Sequence, residues 1–129
     1  MKRDVAVVVL INDKKEIFLV RTCAYPDAWQ PVGGGIDPED SSPEVAVIRE
    51  AQEEVGFVLD KLEKLITVPF DFGEGDVHCF SMQVSDSVVL HIDKVEIAES
   101  GWFSMQNASE LPAYPATKLI LKELKSRLS

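Results

Sequence analysis

The chain has 129 residues, 46% hydrophobic and 27% charged, with 22 acidic against 13 basic side chains and a formal charge of −9. That length implies a single domain, residues 1–129, able to bury a core. The composition is that of a soluble globular protein, and no run of about 18 apolar residues marks a membrane span. The acidity argues against a DNA or RNA partner, because polymer binding rests on Lys and Arg neutralising phosphates. The N-terminal MKRDVAVVVLINDKK is interrupted by charge too soon for a signal peptide. Cys23 and Cys79 match no metal-ligand spacing, so a cytoplasmic protein with reduced thiols is expected. A small phosphorylated molecule would be repelled by so acidic a chain unless cations bridged the two.

Asp4–Ile11 (DVAVVVLI) is a continuous β-branched run and reads as a buried strand. Asn12–Lys15 is turn material, and Glu16–Arg21 returns as a second strand, predicting a hairpin. Arg21 at its end faces either solvent or a ligand's phosphate. Thr22–Gln30 is a loop whose Trp29 is most simply a packing anchor, and Gln30–Val32 predicts a short strand. Gly33-Gly34-Gly35 then leaves no side chain to pack, which suits a backbone that turns tightly or comes close to a ligand or ion.

Ser42-Pro43 marks a helix start, with Ser42 as N-cap, Pro43 at the first helical position and Glu44 in the first turn. Gly56 is placed as a C-cap, so the helix spans about 42–55. At 100° per residue, Ala46, Arg49, Glu50, Glu53 and Glu54 fall on one side, and Val47, Ile48, Ala51 and Val55 largely on the other. Like charges one turn apart, such as Glu50 and Glu54, destabilise a helix by roughly 0.2–0.5 kcal/mol per pair. Arg49 offsets part of this, and a hard divalent cation would offset more, since Mg²⁺ takes oxygen ligands. Glycine carbonyls beside the helix could join such a set.

Further along, a strand is predicted through about 62–70, a turn at 73–76, a strand over Val77–Val84 and the start of another at Val88–Ile92. His78 reads as a strand residue on the sheet surface. Lys94–Phe103 places Glu96 and Glu99 ahead of Trp102. Ser109–Pro115 is a Pro-punctuated connection, and Ala116–Leu128 has helical periodicity with basic residues late, as the helix dipole favours. Phe70, Phe72 and Tyr114 are candidates either for stacking on a base or for the core.

The segment Gly33–Phe57 resembles the signature box of the Nudix hydrolases: a glycine, a glutamate, then Arg-Glu-x-x-Glu-Glu-x-Gly at set intervals. Gly35, Arg49, Glu50, Glu53, Glu54 and Gly56 stand where that pattern wants them, and Phe57 closes it. Two positions depart: Ser41 replaces the first glutamate, and Ala51 an aliphatic residue. The resemblance implies an α/β fold, the Nudix-type α/β/α sandwich with a central mixed β-sheet. It implies a pyrophosphohydrolase dependent on Mg²⁺ or Mn²⁺, in which water attacks phosphorus in a nucleoside diphosphate derivative. Glu53 and Glu54 would be the principal metal ligands with the Gly34 carbonyl, Glu50 a ligand or the general base, and Arg49 the residue that orients them. A late glutamate reaches the metal in many such sequences, and Glu99 is preferred here over Glu96. Arg21, Gly35 and Phe72 are the candidate substrate contacts. Around the branch-specific position the chain reads Phe72-Gly73-Glu74-Gly75, unlike the ADP-ribose or diadenosine polyphosphate branches, so a nucleoside triphosphate or modified nucleotide is preferred by elimination. Glu39, Asp40 or Glu44 would compensate for Ser41, or Ser41 itself would hold a metal-bound water. The alternative is a catalytically degenerate Nudix-fold module that binds a nucleotide or partner protein. Monomer and homodimer are both open.

Overall fold

Val5–Ile11 (β1) lies in the middle of a six-stranded sheet, and its side chains alternate between two cores. Ala6, Val8 and Leu10 point to one face and Val7, Val9 and Ile11 to the other, all buried. A strand covered on both faces needs apolar residues at every position, which is why the run shows no polar alternation. The computed structural model describes residues 3–128, so the outermost residues of the predicted 1–129 domain lie outside the described residues.

After β1 the chain reverses through a turn in which Asn12 Oδ1 accepts the amides of Lys14 and Glu16 at 3.0 and 2.9 Å. It then forms β2, Ile17–Thr22. The predicted hairpin closes only at Ile11–Ile17. Beyond that pair β1 and β2 part, and β3 (Val32–Gly35) pairs antiparallel with Val5–Val8 of β1. Gln30 bridges to Val20, so the β3 segment also meets β2. The glycine triplet is therefore strand rather than loop, and the short strand lies later than the predicted 30–32.

The remaining strands are β4 (Glu63–Pro69), β5 (Asp76–Gln83) and β6 (Ile97–Phe103). The order is β4-β5-β1-β2-β6, with β5 parallel to β1 and the other pairs antiparallel. The sheet is thus mixed, as predicted. On one face lies α1 (Pro43–Val55), whose Ala46, Val47, Ala51 and Val55 join Val8, Leu10 and Phe80 in one core. On the other lies α3 (Pro115–Leu128), whose Ile120, Leu121 and Leu124 join Val9, Leu19 and Leu65. Full burial of each such Leu or Ile contributes roughly 1.5–3 kcal/mol, and this fixes both helices against the sheet as an α/β/α sandwich. Cys79 is buried and Cys23 exposed, both as free thiols, and burial pushes the Cys79 thiol up to about 12.

Two other predictions are corrected. Residues 88–92 form no strand: the amides of His91 and Asp93 instead donate to the carbonyls of Val55 and Glu54 at 2.8 Å each. The last carbonyls of a helix lack intrahelical donors, and this segment supplies them. A short helix, α2 (Met105–Glu110), capped by Ser104 through the amide of Asn107, takes up the first two residues of the predicted connection at 109–115.

Candidate functional site

The helix ends stand where the capping residues place them. Ser42 Oγ accepts the Val45 amide at 3.2 Å, Pro43 opens the helix, and Gly56 closes it at φ +62°. This fixes the rotation of α1 about its axis, and with it the aim of every acidic side chain. Ala46 turns into the core rather than toward the carboxylates, and Glu54 turns inward as well, with 7% of its surface exposed. The face predicted to be uniformly acidic is therefore divided, with Glu53 outside and Glu54 against the sheet.

The glycines of β3 make this close approach possible. The Gly33 amide donates to Glu54 Oε1 at 3.3 Å. A Cβ on Gly34 would stand 2.9 Å from the Glu50 carboxyl carbon. Helix carboxylates thus rest directly on sheet backbone, where any side chain would hold them off. Burial, followed by the charge and contact of Glu50, pushes the Glu54 carboxyl up to about 8; the Gly33 amide opposes this, and the charge of Glu96 adds to it.

Arg49 holds the cluster together. Its Nη1 donates to Glu50 Oε1 at 3.0 Å and lies 3.5 Å from Glu53, while Nη2 lies 2.9 Å from Asp40 Oδ2 and 3.3 Å from Asp37. Nη2 also donates to the Gly35 carbonyl at 3.4 Å. The guanidinium beside Asp40 holds that carboxyl below the usual carboxylate range, helped by the Asp37 amide, and Asp40 in turn raises the pKa of Arg49. Among the residues weighed as substitutes for Glu at position 41, Asp40 is the one committed to Arg49. Ser41 itself is exposed and borders no described cavity.

Glu50, Glu53, Glu54, Asp93 and Glu96 line one hollow. A cleft of about 630 Å³ adjoins it, sharing Glu50, Glu54 and Glu96. Gly34, Gly35 and Phe72 border this cleft, together with Arg3 and Tyr25, which the sequence reading did not single out. Asp93 was also missed, because it is delivered by its amide bond to the end of α1, a contact with no local signature.

Two predicted site residues lie elsewhere. Glu99, preferred as the late glutamate, is on β6 and forms an ion pair with Arg21 rather than lining the hollow; Glu96 lines it instead. The reason is register: β6 pairs with β2 so that Arg21 stands opposite Glu99. Arg21 donates to Glu99 through Nε at 3.0 Å and to the Pro26 carbonyl at 2.5 Å, and lies 5.5 Å over the Trp29 ring. It does not border the cleft; its guanidinium is instead engaged by Glu99 and the Pro26 carbonyl. Trp29 is buried in the α3-side core, as a packing anchor should be.

The donor set of the hollow consists of carboxylates, the chemistry that suits Mg²⁺ or Mn²⁺. Crowding of like charges around buried Glu54 is a cost that a cation would relieve. Among the described residues, no three acidic, His or Cys side chains already converge on one point, so the hollow offers suitable donors without a formed cage.

Known proteins bear on this geometry. The sequence matches the family model described as NUDIX domain over residues 1–124. It is 35% identical over 97 residues to diphosphoinositol polyphosphate phosphohydrolase 3-alpha of Mus musculus, covering 72% of this chain and 57% of that protein. Across 49 residues it is 49% identical to the chloroplastic Nudix hydrolase 26 of Arabidopsis thaliana, covering 38% and 22% of the two chains. The chain thus spans little more than half the length of the mouse relative. Its fold is similar to the NUDIX domain of Shewanella oneidensis NrtR, solved with ADP ribose (TM-score 0.83, 22% identity, 100% and 90% of the two chains covered). It is also similar to a C. elegans Ap4A hydrolase (TM-score 0.80, 18% identity, 98% and 97% covered). At those identities the structural likeness speaks for the fold alone. Since one family model spans nearly the whole sequence and the sheet, helices and glutamate-bearing α1 agree with it, the chain belongs to the NUDIX family.

Proposed function

We propose that this chain is a divalent-cation-dependent pyrophosphohydrolase that cleaves the diphosphate of a nucleoside diphosphate derivative by attack of water on phosphorus, a nucleoside triphosphate or modified nucleotide being the preferred substrate. The observation that carries this reading is the continuity of the carboxylate hollow with the larger cleft through Glu50, Glu54 and Glu96. A polyanion seated in the cleft would bring its phosphates against those carboxylates, an arrangement that requires a cation between them.

Bound Mg²⁺ or Mn²⁺ would supply charge neutralisation of the diphosphate and a water of lowered pKa. Glu50, Glu53 and Glu54 would hold it together with the Gly34 carbonyl, and Glu96 takes the part first given to Glu99. Glu54, protonated at neutral pH while no cation is present, would give up its proton on loading. Arg49 keeps Glu50 and Glu53 from swinging away by charge-assisted hydrogen bonding. Glu50 borders both the hollow and the cleft, which supports its either binding the cation or accepting the proton of the attacking water. The substrate is a small molecule, consistent with a negative charge that disfavours nucleic-acid polymers.

Phosphate and pyrophosphate release from a nucleotide panel, with Mg²⁺ or Mn²⁺ and with chelator, tests the proposal. Turnover should require the cation and collapse in Glu53→Gln and Glu54→Gln. Undiminished turnover in both variants would overturn it.

A further inference from the structure

The placement of Glu96 beside Glu54 depends on a turn that strand periodicity leaves unspecified. β6 begins at Ile97, and residues 94–96 turn just before it. Between the pairs Arg21–Glu99 and Thr22–Ile97, β6 carries one residue more than β2. Such a bulge reverses the alternation of side chains along the strand. Phe103 and Ile97, an even number of positions apart, accordingly pack in different cores, Phe103 on the α3 side and Ile97 on the α1 side. Ile97 is thereby seated on the face that α1 covers, with Glu96 one residue before it.

Asp93 ties this turn to the acidic helix. Its amide donates to the Glu54 carbonyl at 2.8 Å, in the last turn of α1. Amides of the turn converge on its own oxygens: Oδ1 accepts the Val95 amide at 3.0 Å, and the carbonyl accepts those of Glu96 and Ile97 at 3.2 and 2.9 Å. The Glu96 carbonyl in turn accepts the Cys23 amide at 2.8 Å. Both backbone groups of Glu96 are therefore engaged, and the residue lines the hollow with Asp93, Glu50, Glu53 and Glu54. Little else specifies the turn. It holds no glycine or proline, and Val95 is 81% exposed, so apolar packing does not fix it. An aspartate makes such a turn by accepting the amide two residues on.

Building on the hydrolase reading above, we propose that Asp93 is a positioning residue: by folding the 94–96 turn against the end of α1, it holds the Glu96 carboxylate beside Glu54 for the cation. It acts through its bond to the Val95 amide and not through its charge. Without that bond Glu96 is free to swing into solvent, while Glu50, Glu53 and Glu54 keep their places on α1.

Three variants separate these roles. Asp93→Asn keeps an oxygen for the Val95 amide but removes the charge, Asp93→Ala removes both, and Glu96→Gln removes the carboxylate being positioned. Calorimetric titration of chelator-treated protein with Mn²⁺ should show Asp93→Ala and Glu96→Gln each weakened about ten-fold. The double variant should be no weaker than either single one, and Asp93→Asn should stay within about three-fold of wild type. Should Asp93→Ala not fold, Asp93→Ser, whose hydroxyl makes the same turn more weakly, takes its place. Unchanged affinity in Asp93→Ala, losses that multiply in the double variant, or an equal loss in Asp93→Asn would overturn the proposal. Amide hydrogen exchange in chelator reads the turn with no cation present. Val95 and Glu96 should exchange about ten-fold faster in Asp93→Ala and at the wild-type rate in Asp93→Asn. Exchange unaltered in Asp93→Ala overturns the proposal whether or not a cation binds. If wild type takes up no Mn²⁺ while exchange in Asp93→Ala accelerates, the hydrolase reading falls and the assignment of the turn to Asp93 stands.

Discussion

The Gly33 amide donates to Glu54 Oε1 across 3.3 Å, joining the glycine stretch of β3 to the one buried carboxyl of α1. This single contact opposes, without cancelling, the burial and the Glu50 charge that disfavour ionisation of Glu54. Without a cation, the site consequently comes under electrostatic load once Glu54 ionises.

That load has a pH signature. Glu54 titrates near 8 in the folded protein against an ordinary value of 4.5, so between those values the folded chain holds a proton that the unfolded chain has lost. Stability of the cation-free protein from this group is full below about pH 4.5 and falls as pH rises through 8. Glu54→Gln removes the dependence. Calorimetric melting in chelator should show the variant gaining on wild type as pH is raised from 5 to 8.5, while its kcat/KM drops by about a hundred-fold or more.

Cation addition should reverse the same penalty. Mg²⁺ or Mn²⁺ binding only the folded state raises stability by about 2.7 kcal/mol at a hundred times Kd. The rise in melting temperature should follow cation concentration and be lost in a Glu50→Gln, Glu53→Gln, Glu54→Gln triple variant. Water-proton relaxation with Mn²⁺ provides the direct binding measurement.

Arg49 and Asp40 act as one unit, linked at 2.9 Å. Arg49→Lys keeps the charge but loses the planar fork that reaches Asp40, Glu50 and the Gly35 carbonyl together. Activity should fall about 10–100-fold, the scale seen when groups orienting metal ligands are removed. Asp40→Asn should fall in the same direction, and the double variant should lose less than the product of the two, as a kinetic double-mutant cycle would report.

Gly33 and Gly34 should fail differently when given a methyl group. A Cβ on Gly33 would stand 2.6 Å from Val7 Cα at a backbone φ of +153°, so Gly33→Ala should cost about 1–3 kcal/mol of stability in urea unfolding. On Gly34 the three atoms nearest the added Cβ all belong to the flexible carboxyl of Glu50, from 2.9 Å. Gly34→Ala should therefore keep most of its stability and lose activity by displacing Glu50.

The two late glutamates separate cleanly by position. Glu96→Gln should lower cation affinity, because Glu96 lines the hollow. Glu99→Gln removes an exposed ion pair with Arg21, worth about 0–1 kcal/mol, and should leave cation affinity within about two-fold. Calorimetric titration with Mn²⁺ distinguishes them.

What the sequence determined by itself is local. Ser42, Pro43 and Gly56 bound α1 because capping depends on residues within one turn of the helix end, and the strand character of β1 follows from its unbroken β-branched run. The spacing of Arg49, Glu50, Glu53 and Glu54 identified the acidic side of α1 because helical periodicity alone places them. Tertiary structure decided everything that depends on which backbone lies opposite. Gly33–Gly35 became a strand because β1 offered pairing partners, although glycine itself disfavours strands. Glu54 became the buried acid because those glycines left room for it. The β2–β6 register sent Glu99 to Arg21, and the bonds from 88–93 to the end of α1 brought Asp93 beside the cluster. Such contacts join residues far apart in the chain, and no local pattern records them.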